Sequence, residues 1–563
     1  MAIVLIISLI SIPFLVIQPL FKLFCNYTTA QKSGLRIIVS PLPPFSFQWQ
    51  LAAHLFRPLL QQWQWFRAID WTCCWHDNDA LHQELGLCFI VVSPGHNVLC
   101  TSDPRSIDHV LKKWRDFVKP DNVNEILGTF GQNVDTSNGD DWIRHRKLTA
   151  PCFNERASAT VWREALQQSN AMLDQWLLSA GEKQNSMIQD TSTLALNVIS
   201  SVAFENNEVN KPTSGHTLSL RDALVTVMST SISPAMEGII PLLRLPPLET
   251  FLPKSVKQLL VAMTEFRQYM DEIVAKEKKR PRTEGTKGPN LISSLVNAND
   301  EVKTEAGKPK SRLSNGELRG NIFIFTVGGL ESTSNTLSYA LALLAVHPEV
   351  QTWLVEELDE VVKDCPDGDM DYATAFPRLK RTMAVMYETL RLYGPSPPIP
   401  RSPFPENSNQ VIPVSVPKSE GSTTHFTLPP NTQLMLNSWA SHTSPAHFCD
   451  PLVWDPKRWI QTHGVNSNGP VSAAGLTAEE LKHPGSGSGF FAWGTGPRVC
   501  PGMKFSQVEF CGALSSVLRR VRVEAVGQGG KDNIMSVLRD SHAEPLLLHV
   551  RQPEKLELRI LQR

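Results

Sequence analysis

The stretch Gly489-Phe490-Phe491-Ala492-Trp493-Gly494-Thr495-Gly496-Pro497-Arg498-Val499-Cys500-Pro501-Gly502-Met503 decides how this chain is read. Its glycines and prolines forbid a regular element, so Trp493 to Val499 reads as a tight loop. Beyond it Val508, Cys511, Leu514, Leu518 and Val521 recur at steps of three and four, which predicts a helix. Pro501 suits a first helical turn, which puts Cys500 near the N-cap. Unpaired N–H groups and the positive end of the helix dipole favour a thiolate there, and Arg498 adds positive charge. A buried structural cysteine ahead of a helix is the plainer alternative. The glycine-shaped loop, the arginine and the Cys-Pro-Gly junction falling so close together favour a metal-binding thiolate.

Composition narrows the functions open to the chain. Of 563 residues, 42% are hydrophobic and 19% charged, enough for a sizeable core. A formal net charge of −1 argues against nucleic acid as a partner. The ten cysteines are scattered, with only Cys73 and Cys74 adjacent and no C-x-x-C pair. Neither a disulfide framework nor a zinc site is signalled, and a reducing compartment fits. Residues 2–17 carry no charge and, with Leu20 and Phe21, approach the ~20 residues of a spanning helix. No basic residue precedes the run and no small-x-small site follows it, which argues against a cleaved signal peptide. Lys22, Lys32 and Arg36 follow, so the positive-inside rule puts the rest in the cytoplasm. The organisation expected is a membrane anchor at 1–21, a linker with the stiff hinge Pro41-Leu42-Pro43-Pro44 at 22–50, and one large domain at 51–563. The sequon Asn26-Tyr27-Thr28 would then meet no glycosyltransferase.

Within the large domain a strand pair is predicted at 87–92 and 97–101, around the turn Ser93-Pro94-Gly95-His96. Helical patterns dominate to 390, and strands return at 409–436. The polar stretches 276–289 and 300–316 read as surface loops, and the Gly/Ser/Pro-rich stretch 463–489 as an insertion.

Four further constellations carry chemistry. Trp142 and Arg146, four apart on a helix, share a face, and an indole N–H beside a guanidinium suits a carboxylate. The long apolar helix from Asn321 to Val346 holds Gly328-Gly329-Leu330-Glu331-Ser332-Thr333. Two interior glycines cost ~1 kcal/mol each relative to alanine, so a kink is expected there, with Glu331 and Ser332 relaying protons into the space it opens. Glu388 and Arg391, three apart, can pair on one helix face. The turn Trp454-Asp455-Pro456-Lys457-Arg458-Trp459 presents Arg458. Each has a bland alternative: an exposed basic helix, a core helix with one acidic turn, a surface salt bridge, a packed turn.

Taken together and in this order, the five resemble the cytochrome P-450 superfamily, the haem-thiolate monooxygenases, across nearly the whole chain. The signature F-x-x-G-x-R-x-C-x-G stands here as Trp493 to Gly502, with Trp493 replacing the usual phenylalanine. The helix motif A-G-x-[D/E]-T-[T/S] stands as Gly328 to Thr333, with Ser332 where threonine is normal. Ser332 keeps the hydroxyl and loses the methyl, which puts tight coupling in doubt. The wording around Arg498 and Lys504 to Phe510 is most similar to filamentous-fungal secondary-metabolism members.

The resemblance implies a mainly α-helical triangular prism with a small β lobe behind an N-terminal transmembrane helix. It implies haem, iron protoporphyrin IX, with Cys500 as the axial thiolate. Arg498, Trp142, Arg146 and Arg401 would hold the propionates, and Trp493 would lie over the thiolate side. Glu388, Arg391 and Arg458 would form a buried lock, and Glu331 with Ser332 would steer protons to bound dioxygen. The function implied is oxidation of a lipophilic small molecule with O2, using electrons from an NADPH-dependent reductase at the endoplasmic reticulum membrane. Lys504, Arg519, Arg520 and Arg522 would offer that reductase a basic face, or be an ordinary solvated helix surface. The substrate pocket would be lined by 121–138, Phe325 to Ser332, Ser396 to Ile399 and 537–545, with Asp135 and His542 as polar anchors. Two rivals remain: a haem-thiolate isomerase or dehydratase that needs no reductase, and a non-enzymatic haem binder. The acid–alcohol pair argues against both.

Overall fold

The predicted strand pair grows into a six-stranded sheet at one end of a helical body. The computed structural model describes residues 2–44, 47–121, 127–204, 211–229, 252–279, 290–301, 312–365, 370–406, 408–416, 422–462, 476, 478–485, 487–527, 529–543 and 547–563. In chain order, the elements that place the site begin with helix α1 (Ala2–Gln31), strand β1 (Arg36–Val39), helix α2 (Phe47–Leu60) and strands β2 (Cys88–Val92), β3 (Asn97–Thr101) and β4 (Phe117–Val118). Helices α3 (Gly139–Thr149), α4 (Glu155–Leu178), α5 (Met187–Phe204), α6 (Leu220–Ser229), α7 (Lys254–Lys279), α8 (Asn315–Val346) and α9 (Lys380–Tyr393) follow. Strands β5 (Ile399–Pro403) and β6 (Thr432–Leu436), helix α10 (Met503–Arg520) and the short strands β7 (His542–Ala543) and β8 (Leu548–His549) complete the set.

The sheet runs β1-β2-β3-β6-β5-β4. Its centre is apolar on both faces, as β2 and β3 are buried throughout. The register sets Leu99 against Leu434 and brings Arg401 opposite the same Leu434, pointing a guanidinium into the body from a buried strand. The expected strands at 409–436 are present, as the hairpin Val411–Ser415 with Thr423–Thr427 and as β6.

Several expectations need correction. Helix α1 runs through the expected anchor boundary at 21/22 and continues unbroken to Gln31. Its far end is fastened to the sheet: buried Asn26 donates to the Ser93 carbonyl at 2.8 Å and accepts from Asn97 through its own carbonyl at 3.2 Å. That burial also removes Asn26 from any glycosylating enzyme. No helix among the described residues is long and apolar enough to cross a membrane, and the side chains of residues 1–16, where the transmembrane expectation chiefly falls, lie outside the described ones. The basic run at 276–279 is the last turn of α7 rather than a loop, and its cations suit a helix C-terminus. The expected loops at 280–289 and 302–311 and the insertion at 463–475 lie outside the described residues.

The kink expected in α8 is not an interruption: α8 is helical from Asn315 through Val346. Its two glycines serve different ends. A Cβ on Gly329 would stand 3.0 Å from Ile199 Cδ1, so Gly329 lets α5 approach closely, whereas a Cβ on Gly328 would meet open space. The Ser332 hydroxyl donates to the Gly328 carbonyl at 2.5 Å and Thr336 to the Ser332 carbonyl at 2.7 Å. These back-bonds keep polar side chains on the helix without breaking it.

Candidate active site

The loop before α10 is wound on two left-handed glycines, Gly494 (φ 70°) and Gly496 (φ 72°). Space as well as torsion demands glycine at 496, since a Cβ there would lie 2.9 Å from the Leu111 carbonyl oxygen. The turn closes with the Cys500 N–H donating to the Trp493 carbonyl at 3.0 Å. Trp493 also donates through its indole to Ser506 of α10 at 3.1 Å, so one residue both closes the loop and ties it to the helix. The helix begins at Met503 with Gly502 as N-cap, two residues later than expected, because Pro501 and Gly502 form a turn. Cys500 is therefore open on one side and enclosed by protein on the others. That enclosure pushes its thiol above the ordinary value, while the Gly502 N–H, Arg146 and Lys119 pull the other way and Asp135 adds to the push. The helix terminus alone does not make Cys500 a thiolate; a cation bound to the sulfur would.

Around this loop the structure gathers positive charge. Arg498 lies over the Trp142 ring at 4.9 Å and donates to the Ser137 carbonyl at 2.6 Å. Its buried Nε and Nη1 have no partner. Arg401 is buried, with Nη1 on the Pro400 carbonyl at 2.7 Å. Burial and repulsion from Arg498 lower Arg401 to about 10, and burial likewise lowers Arg498 to about 10. Lys119 falls to about 8 through burial and the repulsion of Arg401 and Arg498, despite its ion pair with Asp135. Arg146 is half-buried and close enough to Cys500 for the two to interact. Three cations, Lys119, Arg401 and Arg498, thus surround the Asp135 carboxylate, Arg146 stands beside Cys500, and two guanidinium donors of Arg498 remain unmatched. That is a cradle for a further anion. Helix α3 divides its duties by face. Arg144 donates to Glu317 of α8 at 2.6 Å and His145 meets Asn321 at 2.9 Å, leaving Trp142 and Arg146 for the cradle.

Under the loop lies a carboxylate lock. Glu388, fully buried, accepts from Arg391 Nε at 2.9 Å and Nη2 at 2.8 Å, from Arg458 Nε at 3.0 Å, from the Trp459 indole at 2.9 Å and from the Asp455 N–H at 2.9 Å. Arg391 spends its other donors on the carbonyls of His442, Pro451 and Val453. The sequence assigns Trp459 no role beyond its place in the turn and does not point to His442 at all. Buried His442 faces the Arg391 carbonyl through Nδ1 at 3.2 Å and accepts the Phe491 N–H through Nε2 at 2.7 Å, so it couples the lock to the loop. Burial and the nearby Arg391 lower His442 to about 3, which keeps it neutral for that double role. No sequence spacing announces it.

On α8, Glu331 is raised to about 7 by burial, the one cause acting on it. Asn335, one turn on, donates to the Leu548 carbonyl at 3.1 Å and lies 3.4 Å from His549. Asp135 is not available as a substrate anchor as expected, because Lys119 occupies it within the cradle. His542 pairs across β7–β8 with His549. The basic face is also weaker than expected: Arg520 pairs with Asp174, Arg522 with Glu524, and Lys504 sits on Phe376.

The Cytochrome P450 family model matches residues 54–543. The chain belongs to the cytochrome P450 family. It is a monooxygenase of that family, and haem is the cofactor. A cytochrome P450 monooxygenase of Arthrobotrys oligospora is 29% identical over 92% of this chain and 90% of its own length. A phomenoic acid biosynthesis cluster cytochrome P450 monooxygenase of Leptosphaeria maculans is 27% identical over 90% of each chain. A solved cytochrome P450 superposes with a TM-score of 0.61 at 18% identity, covering 86% of this chain and 93% of the other, a likeness of fold. The cradle fits the cofactor of this cytochrome P450: an open sulfur at Cys500, an aromatic at Trp142 and two unmatched guanidinium donors on Arg498 for a carboxylate.

Proposed function

We propose that this cytochrome P450 oxidises a lipophilic small molecule in a fungal secondary-metabolic route, with Cys500 as the haem iron's axial ligand. The observation that carries the assignment of the site is the gathering of cations, buried Arg401 with half-buried Lys119, Arg146 and Arg498, beside the open Cys500 sulfur. Arg498, Arg401 and Arg146 with the Trp142 indole would hold the propionates, and Trp493 would flank the thiolate. The haem supplies the activation of dioxygen. The protein's part is to hold a proton at the Glu331 carboxyl, near neutrality by virtue of burial, and to relay it through Ser332. In the resting arrangement the Ser332 hydroxyl is spent on the Gly328 carbonyl, so it must turn to the open side beside Gly328 to serve the relay.

Electrons would come from an NADPH-dependent reductase acting as a redox partner. Attachment to the endoplasmic reticulum membrane, with the catalytic domain at 51–563 facing the cytoplasm, is supported by the uncharged run 2–17. It is continued by exposed Ile17, Leu20, Phe21 and Phe24 on α1, and α2 and the residues after it add exposed Leu55, Phe56, Leu59 and Trp63. The anchor would then be 1–21, with 22–50 leading from it. Deleting residues 1–21 should release the protein from the membrane fraction. Retention in the pellet would sink that part of the proposal.

The site has a direct test. Reduced protein with carbon monoxide should give the red-shifted Soret band of thiolate ligation, and Cys500→Ala should abolish it. A band that survives in the alanine variant would move the ligand elsewhere.

A further inference from the structure

Asn138 occupies the N-cap of α3, yet its side chain does not cap the helix. It reaches across to two other parts of the chain instead. Its Nδ2 donates to the Lys119 carbonyl at 2.9 Å and its Oδ1 accepts the Lys119 N–H at 3.1 Å. An amide paired in this way imitates a neighbouring strand residue and fixes the backbone of the Lys119 segment. The same Oδ1 accepts from Arg498 Nη2 at 3.1 Å. The adjoining Ser137 carbonyl takes that nitrogen as well, at 2.6 Å. One side chain therefore joins the Lys119 segment, the start of the helix bearing Trp142 and Arg146, and the arginine of the cysteine loop.

Capping is the ordinary use of Asn at this position and stabilises a helix by ~1 kcal/mol. Here that use is forgone in favour of bonds that orient cradle cations. The consequence for Arg498 is specific. With Nη2 held from behind, its Nε and Nη1 are the donors left without a partner, and both are buried. Lys119 is oriented likewise, its ammonium directed to Asp135 within range of Arg401 and Arg498.

We propose that Asn138 is a positioning residue for the haem propionates, and that it acts by setting the direction of Arg498 and Lys119 together. The inference rests on the assignment of Cys500, Arg498 and Arg146 to haem above. It adds a residue that touches neither iron nor substrate, and it makes Lys119 a cradle cation alongside the arginines.

Asn138→Ser separates this role from helix stability, because serine caps as well as asparagine but cannot span to Lys119 and Arg498. The apoprotein should melt no more than a few degrees below wild type, because the cap is preserved and only the amide's bonds to Lys119 and Arg498 are lost from a long chain. The holoprotein should transfer its haem to excess apomyoglobin several-fold faster. Its ferric/ferrous potential should shift negative, because propionates less well matched by cations disfavour the more negative ferrous form. A merely structural asparagine would move the melting point and leave the potential alone. Haem transfer within twofold of wild type together with an unchanged potential would overturn the proposal. Should the serine variant not fold, Asn138→Asp keeps the acceptor bonds and places a carboxylate against Arg498. Its potential should fall, and an unchanged one would equally overturn the proposal. The reduced carbon monoxide band of wild type distinguishes the two levels. If that band is absent the haem reading itself fails; if it is present and Asn138→Ser behaves as wild type, only the role of Asn138 falls.

Discussion

Two glutamates on neighbouring helices, fully buried Glu388 on α9 and half-buried Glu331 on α8, show how one side chain serves opposite ends. Glu388 is saturated: five donors from Arg391, Arg458, Trp459 and Asp455 converge on its two oxygens, with no exposure left. Glu331 has no charged partner acting on it, and burial alone raises it to about 7. A carboxylate paired on every side is fixed in place and becomes structure. A carboxyl buried without a counter-ion keeps its proton near neutrality and becomes available for chemistry. The lock lies beneath the cysteine loop, where rigidity is needed. The unpaired acid lies beside Gly328, where the helix faces open space.

The comparison can be broken most severely at Glu388. Glu388→Ala strands two guanidiniums in the core, and the cost should be ~3–5 kcal/mol, enough to prevent accumulation of folded holoprotein. Thermal unfolding and haem content measure it, and a variant that folds and binds haem normally would refute the lock. At Glu331 the same type of change should spare the fold and reduce the chemistry. Glu331→Gln should bind haem normally yet lower the rate of product formation by ~10²-fold, the usual contribution of a positioned proton donor.

Glu331 also carries a pH response. Glu331 is raised from its ordinary 4.5 to about 7 by burial. The folded state favours its protonated form, so its contribution to stability is complete below pH 4.5 and is lost as pH rises through 7. Wild type should therefore lose stability relative to Glu331→Gln across that window, and its coupling of NADPH oxidation to product should fall above it. A difference between the two that is flat with pH would place the proton elsewhere.

Smaller changes sharpen the contrast. Trp459→Phe removes one of the donors to Glu388 and should cost ~1–3 kcal/mol in thermal unfolding without changing the haem spectrum. Ser332→Ala should leave stability and haem binding intact while NADPH oxidation uncouples from product. Unchanged coupling would remove Ser332 from the relay.

Much of this was legible in the residues. Cys500 and its glycine loop follow from local rules, because Gly494 and Gly496 adopt torsions other residues avoid. The pairs Trp142/Arg146 and Glu388/Arg391 follow from helical spacing, because residues three or four apart share a face. The start of α10 lies two residues beyond the expected one because a Pro-Gly turn and a helix first turn have similar composition. The glycines of α8 pointed to a kink, but the two differ only in what lies opposite them, Ile199 for one and open space for the other.

What the sequence by itself determined is therefore local: the thiol on its loop, the acid beside the hydroxyl on a long helix, and the pairing of charges one turn apart. From these the cytochrome P450 family was already readable. Only the tertiary structure decided the long-range partners. It brought Trp459 and the Asp455 N–H to Glu388, set His442 between lock and loop, withdrew Asp135 from the substrate to Lys119, and turned Asn138 from its own helix to Arg498. These contacts join residues up to 360 positions apart. No periodicity encodes them, because they depend on how separate elements pack, and packing is a property of the whole core.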